Sequence, residues 1–454
     1  MRKTIFLTLF SLLCSSQSFL YSAFETQEIR VTLSTESPLT PVYLTLVSEN
    51  PGFSGSYIDS LKAILNFDFS YNGETQLLSV DSEKEKLLQR SDQQANFTPA
   101  YWKAGGIQYV IRALIQEKKL SATIYCLQED KIKRFQEISL SGSLDRDRKQ
   151  IHKLADGIYK AIFQKEGIAS YQILYSEQKP RKDKEWASEI WECDWDGANK
   201  RQVTKENSYS INPIILSSTS DQFLYVSYKL GQPKIFLASL QKGEGKRVIH
   251  LRGNQLLPAI SPQKNQIAFI CDAANGRADL FVQAFDPSKG AVGKPIQLFS
   301  YPESVQASPT FGPDGKKIAF VSDKDGSPRI YIIPSTTTGK RAIPTLLSKT
   351  NRENSCPSWS PDGKKIAYSA KTNGVRQIWI YDFEKGHESQ LTTGPGNKEN
   401  PEWAPNSLHL VFNSVDDEGS NLYIMNLHQT KPIKITDGKG KSHYPSWGRK
   451  SNQF

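Results

Sequence analysis

The chain has little of what marks several protein classes. Methionine occurs only twice in 454 residues. After the N-terminus no apolar run reaches the roughly 18 residues that a membrane-crossing helix needs, and a mean hydropathy of -0.50 keeps the downstream chain in water. The five cysteines (Cys14, Cys126, Cys193, Cys271, Cys356) contain no CxxC pair and have no histidine at ligand spacing. Neither a zinc site nor a disulfide framework is signalled, and the last four read as free structural thiols. There is no GxSxG elbow, which removes the usual nucleophile of an α/β hydrolase, and no glycine-rich phosphate loop. Lys and Arg, 57 against 47 Asp and Glu, are scattered in ones and twos without a dense block. That pattern suits a solvated surface or weak attraction to anionic envelope polymers, with no nucleic-acid partner.

What is present begins with MRKTIFLTLFSLLCSSQSFLYSA. Two cations precede an apolar run from Ile5 to Leu13, followed by small and polar residues, the layout of a secretory signal peptide over residues 1–23. Cleavage after Ala23 is preferred and cleavage after Ser18 is the alternative. Leu13 stands where a lipoprotein signal needs a small residue before Cys14. Loss of Arg2 and Lys3 brings the formal charge from +10 to +8.

From about residue 205 the chain repeats itself on a proline, at Pro213, Pro258, Pro309, Pro357, Pro401 and Pro445, with spacings of 44 to 51 residues. That period belongs to propeller blades. Each unit supplies four strands: a proline-led first strand ending in an SPDG-type turn, a second such as IAFVS from Ile318, a third such as QIWIYDF from Gln377, and a fourth such as PIKIT from Pro432. The last unit stops after its first strand. The strands it lacks stand upstream as YQILYSE, EIWECDWDG and KRQVT, so the C-terminal strand is expected to close a ring of six blades spanning residues 169–454. Residues 24–168 lack the repeat and read as mixed α/β. Strands are expected over Glu28–Leu33, Val42–Val47, Ile107–Ile115 and Ser121–Leu127. Helices are expected over Tyr57–Phe67, after Ser82 with Glu85 as a capping box, and over Asp145–Gln164 with Gly167 as its C-cap.

In this frame the six histidines do not converge. His250, His387, His409 and His428 fall on four different parts of a blade, His152 lies on the preceding helix and His443 near a strand entrance, so they read as surface or capping residues. Glu353, Glu399 and Glu402 lie near first-strand entrances, where a pair at a defined gap would serve glycoside chemistry and a scattered set would only solvate the rim. DKDGS at Asp323 begins like a calcium loop, but Pro334 occupies the twelfth position, where a bidentate Glu is required; a hairpin loop is expected.

The SPDGKKIA-type repeats, together with EIRV at Glu28–Val31, WKAGGIQYVIRALI at Trp102–Ile115 and the passage from GIYKAIFQKEG into ASYQILY, resemble the TolB family, the periplasmic component of the Tol-Pal cell-envelope system. The likeness covers the whole exported chain. It departs at Pro445–Arg449, which lacks the proline that often follows this last first strand, and at the degenerate LSSTSDQ turn. The resemblance implies an α/β N-terminal domain followed by an all-β six-bladed β-propeller closed by the C-terminal strand. It also implies a monomeric, non-enzymatic periplasmic scaffold without cofactor or metal, linking an outer-membrane lipoprotein (Pal) to inner-membrane Tol proteins. On this view the propeller mouth that receives Pal is formed by Asn212, Leu257, Ser308, Cys356, Asn400 and Tyr444, with Asn254, Glu353, Glu399 and His443 on its rim. An N-terminal arm, Glu28, Ile29, Arg30 and Val31, is offered to a TolA-like partner. The competing reading is a secreted propeller enzyme, a lyase or glycosidase, acting on envelope glycans; it requires carboxylates, or a histidine with a metal, converging in the mouth.

Overall fold

A computed structural model describes residues 39–50, 52–94, 99–180, 186–336 and 342–450. The signal segment 1–23 and the arm with its expected strand, Glu28–Leu33, lie outside the described residues.

The N-terminal part is built on β1 (Thr40–Glu49), α1 (Gly55–Tyr71), β2 (Thr75–Leu77), α2 (Ser82–Gln94), α3 (Pro99–Lys103), β3 (Tyr109–Gln116), β4 (Lys119–Cys126), β5 (Lys131–Ser139) and α4 (Leu144–Phe163). Its five-stranded sheet runs β2-β1-β3-β4-β5, with β1 parallel to β2 and β3 and the rest antiparallel. The expected apolar runs are β1, β3 and β4; the edge strand β5 escaped notice because its residues are mostly exposed and carry no clean alternation. Two caps differ from expectation. Asp81, not Ser82, caps α2, accepting from the Glu83 amide at 2.8 Å, while Glu85 is drawn away to Tyr43 and Thr45 at 2.9 and 2.8 Å. The α4 helix ends at Gln164 in the left-handed region, φ 57°. Gly167 instead allows a close approach, since a Cβ there would stand 2.2 Å from the Asp156 carboxylate that accepts from the amides of Ala169 and Ser170.

The rest of the chain forms six four-stranded antiparallel sheets. Blade 1 joins β6 (Tyr171–Pro180), β7 (Trp186–Asp194) and β8 (Arg201–Gln202) to the distant β29 (Lys441–Lys450). Blades 2 to 6 are β9–β12, β13–β16, β17–β20, β21–β24 and β25–β28, with first strands β9 (Ser210–Ile215), β13 (Gln255–Ile260), β17 (Gln306–Phe311), β21 (Asn354–Trp359) and β25 (Asn397–Trp403). The ring closes through β29 against β6, Lys441 opposite Gln178 and Lys450 opposite Tyr171. Three serines tie neighbouring blades: Ser188 donates to the Ser210 carbonyl, Ser369 to that of Lys398 and Ser420 to that of Ser442. Cys126, Cys193 and Cys271 are buried free thiols, as small apolar strand residues should be.

The two parts share one apolar core, in which α4 residues Ile151, Leu154 and Ile158 pack with Ile173, Trp195 and Trp447 of the propeller. A buried polar cluster is set into that contact. Asp68 of α1 accepts from Trp195 Nε1 at 2.9 Å and from His152 Nδ1 at 2.9 Å, and Arg148 meets Asp196 and lies 3.7 Å from Asp194. His152 is therefore no surface residue: it is 2% exposed. Nor is His409, also buried, which donates from Nε2 to the Tyr71 carbonyl at 2.8 Å while its Nδ1 faces the Asn406 amide. That arrangement needs a neutral ring, and burial holds His409 down at about 4. His428 meets the Gly73 carbonyl at 2.6 Å. Gly73, at φ 79°, has no room for a Cβ, which would stand 2.8 Å from Leu408. The sequence placed His409 and His428 on separate blade positions and His152 on the preceding helix; docking of α1 on blade 6 brings the two blade histidines to its C-terminal end, with bonds to the Tyr71 and Gly73 carbonyls.

Truncation before Lys441 removes β29 and exposes an edge in blade 1, and is expected to cost on the order of 5 kcal/mol or more, read as lower thermal and urea midpoints. The buried cluster gives a pH signature. Burial opposes charge on His152, but Asp68 and then Asp196 override it and lift the imidazole to about 9, while burial lifts Asp68 to about 6. A cation whose folded pKa is raised contributes fully below its unfolded value, near 6.5, and loses that contribution as pH climbs to about 9. The unfolding free energy should therefore fall by about 3 kcal/mol across that window, and the fall should be absent in His152→Gln.

Candidate functional site

The geometry repeats in every first strand. The residue before each anchoring proline has a left-handed backbone, with φ of 52° at Asn212, 49° at Leu257, 46° at Ser308, 50° at Cys356, 53° at Asn400 and 50° at Tyr444. Non-glycine residues pay for such a conformation. In each case the register against the second strand slips there by one residue, a β-bulge. The proline falls in the interruption, so its missing N–H costs the ladder no bond. The six prolines are buried and the six residues before them half-buried, which puts this ring on the wall of a central cavity of about 310 Å³.

All six expected mouth residues line that cavity. Three form a polar relay across blades 4, 5 and 6. Ser308 Oγ lies 4.0 Å from Cys356 Sγ, the thiol reaches Asn400 Oδ1 at 3.1 Å, and Asn400 Nδ2 donates to Asn413 at 2.8 Å. Burial pushes the Cys356 thiol up, keeping it a neutral donor, and pushes up the Tyr444 phenol. The four expected rim residues do not line the cavity. Asn254 is tied to Asp272 by two bonds of 2.7 Å, and exposed Glu353 meets Lys371 at 3.2 Å. Glu399, pushed up by burial, lies 3.7 Å from Arg376, whose charge pulls it back. His443 faces Ser420 at 3.2 Å and is held down by burial, then by the charge of Lys441.

A second ring on the cavity wall comes from the residues after the prolines: Ile214, Ala259, Thr310, Ser358, Glu402 and Ser446. Glu402 is its one charge. Its Oε2 accepts from Ser358 at 3.1 Å, and burial raises the carboxyl to about 7 against the opposing pull of that bond. The backbone carrying it is fixed from both neighbours, since Trp447 Nε1 donates to the Glu402 carbonyl and Trp403 Nε1 to that of Ser358, each at 3.2 Å. Among the described residues the cavity wall holds no second carboxylate and no histidine, so paired acid and base groups for glycoside cleavage are not assembled there.

A sequence profile described as the TolB beta propeller domain matches residues 159–451. A curated Protein TolB homolog of Protochlamydia amoebophila (strain UWE25) is 47% identical over 392 residues, covering 84% of this chain and 83% of the relative. The chain belongs to the TolB family. A TolB homolog of Chlamydia trachomatis serovar L2 is 36% identical over 395 residues, 86% of this chain and 84% of its own. The crystal structure of TolB from Acinetobacter baumannii superposes with a TM-score of 0.73 at 21% identity, covering 91% of this chain and 98% of that one, which speaks for a common fold.

In this TolB family member Thr310, Ser358 and Ser446 are channel residues that the expected mouth lacked, and of the three carboxylates expected near first-strand entrances, Glu353, Glu399 and Glu402, only Glu402 lines the channel. Their signal was present, at a fixed place one residue after each anchoring proline. Because the folded pKa of Glu402 is raised, ionising it between about 4.5 and 7 works against folding. Glu402→Gln should match the wild type near pH 4 and exceed it at pH 8 by on the order of 2 kcal/mol, measured by chemical denaturation at both pH values.

Proposed function

We propose that this chain is a periplasmic, non-enzymatic scaffold of the Tol-Pal system, exported by residues 1–23, that links an outer-membrane Pal-like lipoprotein to an inner-membrane TolA-like protein and so serves envelope integrity and constriction at division. Family membership supports the Tol-Pal assignment. The observation that carries the scaffold reading over the glycan-cleaving one is the channel wall, whose lone carboxylate has no catalytic partner among the described residues. No helix among those residues is long and apolar enough to cross a membrane.

Two separate binding sites are proposed, on the 24–168 and 169–454 parts of the chain. The mouth, with Asn212, Leu257, Ser308, Cys356, Asn400 and Tyr444 on its wall and Asn254, Glu353, Glu399 and His443 near the strand entrances, is a preformed concave surface for the Pal-like partner. The half-buried aromatic Tyr444 beside a charged rim is where interface energy tends to concentrate. The arm Glu28–Val31 alternates polar and apolar residues and suits addition as a strand to a partner's sheet edge. Removing residues 24–31 should abolish binding of the TolA-like partner and leave the Pal-like partner within about twofold, whereas Tyr444→Ala with Glu399→Ala should weaken the Pal-like partner at least about tenfold. Isothermal titration of both variants against both partners checks this; equal weakening of both partners by either change, with the fold intact, sinks the two-site reading.

A further inference from the structure

We infer that the propeller channel is a receptor for an alkylammonium group, the head of a lysine side chain that a partner inserts through the mouth. The partner clause rests on the scaffold reading above; the chemistry of the channel stands on its own.

The chain is formally +10, yet the one charged side chain on the described channel wall is an acid. Glu402 has a single hydrogen-bond donor, Ser358, and no cationic side chain pairs with it among the described residues. The cations nearby in sequence are engaged elsewhere: Arg376 faces Glu399 and donates to Ser355, and Lys398 is turned into its own loop, onto the carbonyls of Gly394 and Gly396 at 3.0 and 2.9 Å. A half-buried carboxylate left without a counter-charge is costly, and a cation arriving from outside recovers that cost.

The surroundings choose among cations. A hard divalent ion seeks six or more oxygens, several of them carboxylate, and this wall supplies one carboxylate. A guanidinium binds best through both carboxylate oxygens at once, and Ser358 already engages Oε2. An ammonium is a compact charge with three donors, and the wall that carries the Glu402 carboxylate also carries the hydroxyls of Ser358, which bonds it, and of Ser446 and Thr310. The same wall carries the six buried prolines, apolar surface of the kind a methylene stem covers while its charged head seeks a polar site.

The test uses the chain freed of residues 1–23, with Nα-acetyl-lysine methylamide as the probe. Saturation-transfer NMR and the shift in unfolding temperature read its binding at pH 8. The lysine probe should bind the wild type, bind at least about tenfold more weakly to Glu402→Gln and Glu402→Asp, and bind a variant at an exposed acid on the turn after β26, Glu418→Gln, like the wild type. Lowering the pH to 5, where Glu402 is protonated, should reproduce the loss. Equal binding to wild type and Glu402→Gln overturns the inference, as does binding of calcium chloride or Nα-acetyl-arginine methylamide in place of the lysine probe. The two readings fail separately. If the lysine probe binds and the Pal-like lipoprotein does not, the partner reading falls and the channel site stands. If the lipoprotein binds wild type and Glu402→Gln alike and the lysine probe binds neither, the site falls and the scaffold stands.

Discussion

The antiparallel pairing of β29 with β6 brings residues 441–450 beside residues 171–180, the far ends of the repeat, and converts a row of blades into a ring. An open row would leave a first strand without its blade and two unpaired edges, and no channel would exist, because a channel needs wall on every side. The same strand contributes Tyr444 and Ser446 to the cavity and Trp447 to the core shared with the N-terminal part. Closure, channel and docking of the two parts thus depend on one ten-residue strand.

Strain is distributed with the same symmetry. Six left-handed residues, each beside a proline, sit at equivalent places around the cavity. Each follows, by two positions, a buried polar residue that is itself anchored, such as Gln255 bonded to the Leu251 carbonyl or Lys398 bonded within its own loop. A backbone conformation that would relax in isolation persists where surrounding bonds over-determine it. The result is a rigid, concave wall suited to recognition by shape, with its polar atoms already oriented.

Electrostatics divides the molecule into two regimes. At the seam between the two parts, buried charges are compensated: Asp68 is met by His152 and Trp195, and Asp196 by Arg148. Pairing of this kind fixes relative orientation, since removing one partner strands the other in a low-dielectric contact. In the channel Glu402 is left uncompensated by the described chain. A charge satisfied internally serves the fold, and one left unsatisfied at the wall of an open cavity is available to a ligand.

Much of this was legible in the residues. The proline period and the SPDG-type turns specify blades, the isolated last strand specifies closure, and the face of α4 with Ile151, Leu154 and Ile158 specifies a packed helix, because each rests on local periodicity. The mouth series was legible for the same reason: a fixed offset from a repeating proline becomes a ring once the ring closes. Other features had no local signal. The edge strand β5 is mostly exposed, the caps at Asp81 and Gln164 replaced better-looking candidates at Ser82 and Gly167, and the rim residues Asn254 and Glu353 were taken up by Asp272 and Lys371. The joining of Asp68, His152 and Trp195, and of Tyr71 with His409, spans pairs separated by as many as 338 positions. Sequence alone determined the elements and their order, because period, turn chemistry and amphipathic face act over a few residues. The tertiary structure decided which polar groups became partners and which carboxylate stayed alone, because hydrogen bonds and burial depend on distance in space.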